Sequence, residues 1–407
     1  MGPLAGVRVL DLSRILAGPW ASQVLADFGA EVIKVERPGS GDDTRQWGPP
    51  YLADAQGEVT CESAYFLSAN RGKRSVAINF TQPAGQELVR GLASDSDVLI
   101  ENYKVGGLAK YGLDYASLHT LNPRLVYCSI TGFGQDGPYA ERAGYDAAIQ
   151  AMGGVMSVTG EPDGAPQKVG VAVADLMTGM YAVAGILAAL RHAEKTGEGQ
   201  HIDLALLDTQ VGWLANQAMN FLVGGQVPTR QGSAHPNIAP YQVMPSQDGH
   251  FMLAVGNDAQ FQRFCQAIGA PELGYDKRFA SNPARVAQRG ELVALLSELL
   301  AKQSTAHWLA ALENAKVPCA PVNRIDQVFA DPQVQARGLR FDLPHPLSGS
   351  VPQVANPVRF SQTPIAYQQA PPLLGEHTAQ VLGEALGLKS EHLAALAAAG
   401  VIGLAKG

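Results

Sequence analysis

Short apolar runs recur along the first 130 residues, each followed by a turn and a stretch with helical spacing. Val7 to Asp11 (VRVLD) predicts a strand, Pro19 to Gly29 a helix stopped by its glycine, and Glu31 to Glu36 (EVIKVE) a second strand. Ser75 to Asn79 (SVAIN), Val98 to Glu101 and Leu125 to Ile130 read as further strands, with helices over Pro83 to Ala93 and around Tyr115. Strands alternating with helices predict an α/β domain with a mainly parallel sheet, and such sheets bind ligands beyond the carboxyl ends of their strands.

The pattern then changes. Gly132 to Lys168 is rich in Gly, Pro and Asp and reads as working loops. It leads into VGVAVADLMTGMYAVAGILAAL (169–190), whose only charge is Asp175. Val169, Val171 and Val173 alternate as in a strand, while 176–191 is apolar on every side, as a buried helix is. Thr178 and the glycines interrupt the run, which therefore reads as a buried helix rather than a membrane span. A small-residue stripe, Gly179, Ala182, Gly185 and Ala189, suits close packing. Asp175 is thereby expected at a strand-to-helix junction. On spacing alone it is most simply an N-cap accepting the amides of Met177 or Thr178. The alternative is a catalytic carboxylate, ionised by the helix N-terminus and stripped of water by its surroundings.

After a further strand and long helix in 195–222, composition shifts near Val223, and GGQVPTRQGSAHPNIAPYQ reads as a linker. A strand (HFMLAVG) and helices over 258–269, 290–302 and 305–315 follow. The expected division is a large domain over 1–225, a small one over 226–330, and a proline-rich return segment over 331–407 ending in two short helices.

The 407 residues carry a formal charge of −7, which argues against a nucleic-acid surface, so an anionic ligand would need a local cluster of cations. Candidates are Arg71, Lys73 and Arg74 in ANRGKRS, Arg37 after the second strand, and Lys104 and Lys110 after the strand ending at Glu101. Cys61, Cys128, Cys265 and Cys319 form no C-x-x-C pair, and the nine histidines form no H-E-x-x-H, so free thiols, a reducing cytoplasm and no metal are expected. The first residues match neither a secretory nor a transit leader, which fits a cytoplasmic protein without a membrane anchor. The turn after the first strand, DLSRILAGPW, lacks G-x-G-x-x-G, and there is no Walker A loop or G-x-S-x-G elbow.

The motifs GVRVLDLSRILAGP, GAEVIKVERPGSGDDTR, NRGKRSVAIN, ENYKVGGLAKYGL, CSITGFGQDGP with AGYDAAIQA, and PLLGEHTAQVL run in order over residues 4–382. Together with the Asp175 segment they resemble the class III CoA-transferases. The resemblance implies a large Rossmann-like α/β domain built from both chain ends, a smaller inserted α+β domain, and an interlinked homodimer. It implies acyl-CoA thioesters as substrates, no permanently bound cofactor, and Asp175 as nucleophile. By motif position, CoA would contact Leu16, Ala17, Arg37, Ile78, Asn79, Asn102, Tyr103, Lys104, Lys110, Thr131, Gly132 and Phe133. Gln135 stands where the formyl-CoA branch has an assisting glutamate.

Within the family, Leu16 and the segment AHPNIAPYQ depart from the oxalate-using branch. Tyr145 replaces the histidine of the racemases, and a phenol titrating near ~10 is a poor base at neutral pH. The similarity is greatest to members that pass CoA from succinyl-CoA to glutarate, 3-hydroxy-3-methylglutarate, itaconate or a similar dicarboxylate. Arg45, Arg71 and His235 are the candidate grips for the second carboxylate, arginine being favoured because it can donate two parallel bonds. A racemase of α-methylacyl-CoA, or a non-catalytic acyl-CoA-binding protein, are the alternative readings.

Overall fold

The apolar runs become one sheet in the computed structural model, which describes residues 1–405. Its strands are β1 (Arg8–Asp11), β2 (Glu31–Glu36), β3 (Lys73–Ile78), β4 (Val98–Glu101), β5 (Val126–Thr131), β6 (His201–Ala205) and β7 (Ile402–Gly403). Their spatial order is β7-β3-β2-β1-β4-β5-β6, all parallel except β7, which pairs antiparallel with β3. The chain steps from β1 out to β3, then returns to the other side of β1 for β4. That reversal opens a crevice beyond the carboxyl ends of β1 and β4.

Alternate residues of each strand feed opposite layers, so both faces are apolar. Val9, Val32, Val98, Ile100 and Val126 face one cluster, with helix α1 (Ala17–Asp27) and the long helix Val173–Thr196. Leu10, Ile33, Val76, Leu99 and Tyr127 face the other, with α2 (Pro83–Ser94) and residues of Thr378–Leu386. Burying each such side chain stabilises by about 1.5–3 kcal/mol, which fixes the strand register and hence the crevice.

The helices that bear on the crevice are α3 (Asp146–Met152) and α4 (Val173–Thr196). By length and composition α4 could cross a membrane, yet its stripe of Ala174, Thr178, Gly179, Ala182, Ile186 and Ala189 is buried in the sheet layer. A Cβ on Gly179 would lie 2.7 Å from the Ala17 carbonyl oxygen, so only glycine lets α4 approach α1 this closely. The expected strand before α4 does not form. The Val169 amide bonds to Gln150 Oε1 (2.8 Å) and Val173 turns back onto the Val171 carbonyl (2.8 Å). Alternating valines make a strand only where an edge is free to pair. Asp175 is consequently the third residue of the helix, within its first turn rather than at its cap.

The described chain forms two compact units. One comprises 1–155, 169–219 and the described residues from 333 onward; the other comprises 156–168 and 220–332. The second therefore gathers 156–168, a segment that the sequence pattern left with the large domain, as well as the stretch after Val223. It is α+β: an antiparallel sheet of Tyr241–Pro245, His250–Ala254 and Cys319–Pro321, with helices packing Phe251, Phe261, Phe264, Leu296 and Trp308. Fully buried Arg285 ties it together through the carbonyls of Ala239 (2.7 Å) and Phe279 (2.9 Å) and Asp258 (2.7 Å).

Beneath the crevice lies a buried network of charges. Lys34, in the middle of β2, donates to the Ser13 carbonyl and to Asp42 Oδ2, both at 2.9 Å. Asp42 Oδ1 accepts the amides of Ile15 (3.2 Å) and Thr44 (3.0 Å). Glu36 takes two bonds from Arg45, each 2.8 Å, plus the Asp42 amide and the Ser75 hydroxyl. Burial pushes the Asp11 carboxyl up, but Lys73, Lys34 and the hydroxyls of Ser13 and Ser22 outweigh it and hold the group at about 2. The network fixes a strained turn, because Ile15 has φ +71°, a left-handed conformation costing a β-branched residue about 1–2 kcal/mol.

Asp42→Ala would strip Lys34 of its carboxylate and release the Ile15 amide together. A loss of about 3–5 kcal/mol is expected, measured by urea unfolding at pH 7; a loss below about 1 kcal/mol would show the turn to be held by something else.

Candidate active site

The loops that leave the carboxyl ends of β1 to β5 line one cleft of about 860 Å³. Leu16 and Ala17 come from the turn after β1, Arg37 from after β2, and Ile78 and Asn79 from β3 and its exit. Asn102, Tyr103, Lys104 and Lys110 follow β4, and Thr131 and Gly132 close β5. Each turn is placed by a strand end, which is why residues 115 apart in sequence share one wall. Asp175 lines the same cleft from the first turn of α4.

Four cations in the cleft, Arg37, Lys104, Lys110 and Arg142, are exposed and have no carboxylate partner among the described residues. Lys110 lies over the Tyr111 ring (4.8 Å) and Arg142 over Tyr139 (4.0 Å). Unpaired cations in a concave wall attract a polyanion. Asn102 is engaged differently: its amide accepts the Arg14 amide proton (2.9 Å) and donates to the Arg14 carbonyl (2.7 Å). It therefore clasps the β1 and β4 loops at the point where the strand order reverses.

Asp175 is half-buried, and its carboxylate accepts no hydrogen bond among the described residues. Loss of hydration, reinforced by the charge of Asp146, pushes it up to about 7. The cap role expected for it belongs to Asp146, whose Oδ2 accepts the amides of Ala174 (2.9 Å) and Asp175 (3.4 Å). Ala172, at the cap position, has no side chain able to do so. A carboxylate poorly solvated and free of hydrogen bonds is a stronger nucleophile than one in water.

Several sequence-predicted residues lie elsewhere. Arg45 is consumed by Glu36, Glu62 and the Pro372 carbonyl, and Arg71 by Asp27, at 2.8 and 2.6 Å, and the Val354 carbonyl. Both are about 5–6% exposed and neither lines the cleft, so neither is available to a substrate carboxylate. Lys73 and Arg74 are paired too, with Asp11 and with Glu31 and Glu384. The physical reason is position: Arg71 precedes β3 and Lys73 and Arg74 are its first two residues, so these cations stand at the end of the strand opposite the cleft. Phe133 turns into the apolar layer and meets Tyr139 edge-on (5.6 Å). Gln135 lines a separate hollow with Glu101, Ser129 and His201, its amide donating to Asp203 (3.0 Å). His235 belongs to the second unit, where Nδ1 accepts the Asn237 amide (3.1 Å) and the ring packs on Tyr241.

The sequence reading missed Arg14, Trp47, Arg142 and Asp146, all in the cleft wall. Arg142 lies within the Gly/Pro/Asp-rich segment, where the only signal was the loop composition itself, while Asp146 stands in the motif AGYDAAIQA and was given no role of its own. Tyr65, paired edge-on with Trp47 (5.1 Å), also stands near the acidic pair: burial first, then the charges of Asp175 and Asp146, push its phenol to about 12.

A parallel sheet with a cationic cleft at its carboxyl edge, and a desolvated carboxylate in that cleft, defines an acyl-group enzyme for a large anionic carrier. The chain belongs to CoA-transferase family III, whose pattern matches residues 4–378. It is 56% identical over 382 residues to the succinate–glutarate CoA-transferase of Agrobacterium fabrum, covering 94% of this chain and 95% of that one. It is 44% identical to the succinyl-CoA:glutarate CoA-transferase of Homo sapiens, over 98% and 90% of the two chains. A crystal structure of a CaiB/BaiF family protein from Brucella suis matches with a TM-score of 0.84 at 53% identity, covering 94% of this chain and 99% of that one. The protein is thus a CoA-transferase that uses CoA thioesters as substrates.

Because Arg71 neutralises buried Asp27, Arg71→Ala should destabilise by about 3 kcal/mol or more. In the protein that remains folded at 20 °C, KM for the acceptor acid should be unchanged; a selective rise in that KM would return Arg71 to the site.

Proposed function

We propose that the enzyme moves CoA from succinyl-CoA to a short dicarboxylate, glutarate first among them, through an aspartyl-CoA thioester on Asp175. The observation that carries this reading is the carboxylate itself, desolvated, free of hydrogen bonds and set in the cationic cleft. The names of the relatives at 56% and 44% identity support the choice of donor and acceptor.

In this scheme the Asp175 carboxylate attacks the thioester carbonyl, the C–S bond breaks, and a mixed anhydride and CoA thiolate form. The thiolate attacks the aspartyl carbonyl, the anhydride C–O bond breaks, and succinate leaves. The acceptor carboxylate attacks the aspartyl thioester, giving a second anhydride and thiolate. The thiolate then attacks the acceptor's acyl carbon and regenerates Asp175. No net proton or electron is exchanged, so no further cofactor enters the balance. Leu16, Ala17, Ile78 and Asn79 would seat the carrier, while Arg37, Lys104 and Lys110 would meet its phosphates by charge. With Arg45 and Arg71 engaged elsewhere, exposed Arg142 is the available grip for the acceptor's distal carboxylate.

A homodimer and a cytoplasmic setting belong to the same proposal. Met180, Tyr181, Val211 and Met219 expose apolar surface on the first unit, which suits a partner subunit. The four free thiols suit a reducing compartment. The racemase reading lacks a base at its required position, since Tyr145 there is 66% exposed and phenolic.

Succinyl-CoA mixed with glutarate should yield glutaryl-CoA, and Asp175→Ala should abolish exchange while binding CoA. Mass analysis of the peptide holding Asp175 should find the CoA adduct; exchange by the variant, or none by the wild type with a panel of dicarboxylates, would overturn the reading.

The pH dependence has a definite sign. Asp175 must be ionised to attack, so kcat/KM should rise with pH through about 7. The same raised group makes the folded protein bind a proton that the unfolded chain has released above about 4, so its ionisation costs stability as pH rises from about 4 to 7. Asp175→Asn should therefore raise Tm at pH 8 by on the order of 2 °C, and by less at pH 5, as scanning calorimetry at both pH values would read.

A further inference from the structure

Helix α4 carries the nucleophile but brings no side chain of its own to its N-terminal amides, since its cap position is Ala172 and no side-chain cap bond is made there. The bonds come instead from α3. Asp146 Oδ2 accepts the amides of Ala174 and Asp175, at 2.9 and 3.4 Å. Its Oδ1 accepts Gln150 Nε2 at 2.7 Å, and fully buried Gln150 in turn accepts the Val169 amide at 2.8 Å. One turn of α3 thus fixes both the approach to α4 and its first turn. The loop leading into α3 is fixed in its turn by Gly144, which packs on Gly132 so closely that a Cβ would lie 2.3 Å from the Gly132 Cα.

We propose that Asp146 is the positioning residue for Asp175: it takes the capping duty on the helix from outside, and so leaves both carboxylate oxygens of Asp175 free to face substrate. The inference rests on the assignment of Asp175 as nucleophile. Two effects follow from the geometry. Without Asp146, the Asp175 carboxylate is the nearest acceptor for the open amides of its own helix turn, and a rotation toward them turns it away from the thioester. The negative charge of Asp146, beside Asp175, also discourages ionisation of the nucleophile and makes it more basic. The other titratable group coupled to this pair is Tyr65, from the helix Ala64–Ala69, while the cleft cations share the same wall.

The two effects separate by substitution. Asp146→Asn keeps an acceptor oxygen for the amides and removes the charge. It should keep kcat within ~tenfold and move the acid limb of the kcat profile downward by about one pH unit. Asp146→Ala removes the acceptor as well. It should lower kcat by ~100-fold, the scale of a misplaced reacting group, with KM for succinyl-CoA within ~threefold. The readouts are steady-state rates over pH 5–9 and the mass-detected yield of CoA adduct on the Asp175 peptide. An unmoved acid limb in Asp146→Asn, or Asp146→Ala with kcat within ~threefold of wild type, would overturn the inference. If Asp146→Ala does not fold, the near-isosteric Asp146→Asn still decides through its pH limb. Failure of the underlying assignment looks different, because the wild type itself would then yield no adduct on Asp175.

Discussion

The ammonium of Lys34 is the contact on which the cleft depends. It rises from the centre of a parallel strand, fully buried, and donates to the Ser13 carbonyl and the Asp42 carboxylate. Burial pulls the lysine down, but Asp42, Asp11 and Glu36 together hold it protonated. A buried pair of this kind gives little net stability compared with apolar residues of the same volume; its effect is to make any other arrangement costly. Here the arrangement it enforces is functional. Asp42 reaches from a loop after β2 to the amide of Ile15 after β1, and so holds a non-glycine residue at φ +71°. Leu16 and Ala17 are presented to the cleft by that turn.

The placement of positive charge follows from the direction of the strands. Of the cations that precede a strand or lie within one, Lys34, Arg71 and Lys73 are matched to buried carboxylates, and Arg74 to the more exposed Glu31 and Glu384. Cations that follow β2 and β4, Arg37, Lys104 and Lys110, remain unmatched and exposed. A net charge of −7 makes this division consequential, since a generally anionic protein can hold a polyanion only where its own carboxylates are withheld. Burying the acidic partners beneath the sheet's edge withholds them.

The sheet was legible because its strands are short apolar runs at regular spacing with clear helix stops, and because parallel strands are buried on both faces. The strand expected over 169–173 failed for a reason outside local pattern: no edge is available there, and Gln150 takes the Val169 amide. Most of the residues expected from motif order to contact CoA lie in the cleft wall, since the turns that line it sit at strand ends. Arg45 and Arg71 were not correctly read, because sequence shows a cation but not the carboxylate that neutralises it across 9 or 44 positions. Arg142 and Asp146 stayed hidden for the complementary reason. Arg142 sits in a loop without periodicity and Asp146 opens a two-turn helix, and both reach the cleft wall only when the β5 exit, α3 and the start of α4 come together.

That convergence bears on how an acid can be poised beside a helix N-terminus at all. Left alone, the amides of a first turn and the helix dipole would hold a carboxylate ionised, hydrogen-bonded and weakly nucleophilic. Two carboxylates at one N-terminus change the outcome, provided that their roles differ. Asp146 takes the amides, and its charge acts on the second group, which burial has already stripped of water. Asp175 keeps the helix as a rigid mount but loses the bonds that would have quenched it, and its proton is held to about 7. Once ionised, a carboxylate so placed has few interactions to give up. Asp175 is therefore left without hydrogen bonds because its neighbour Asp146, and not Asp175 itself, satisfies the first turn of the helix.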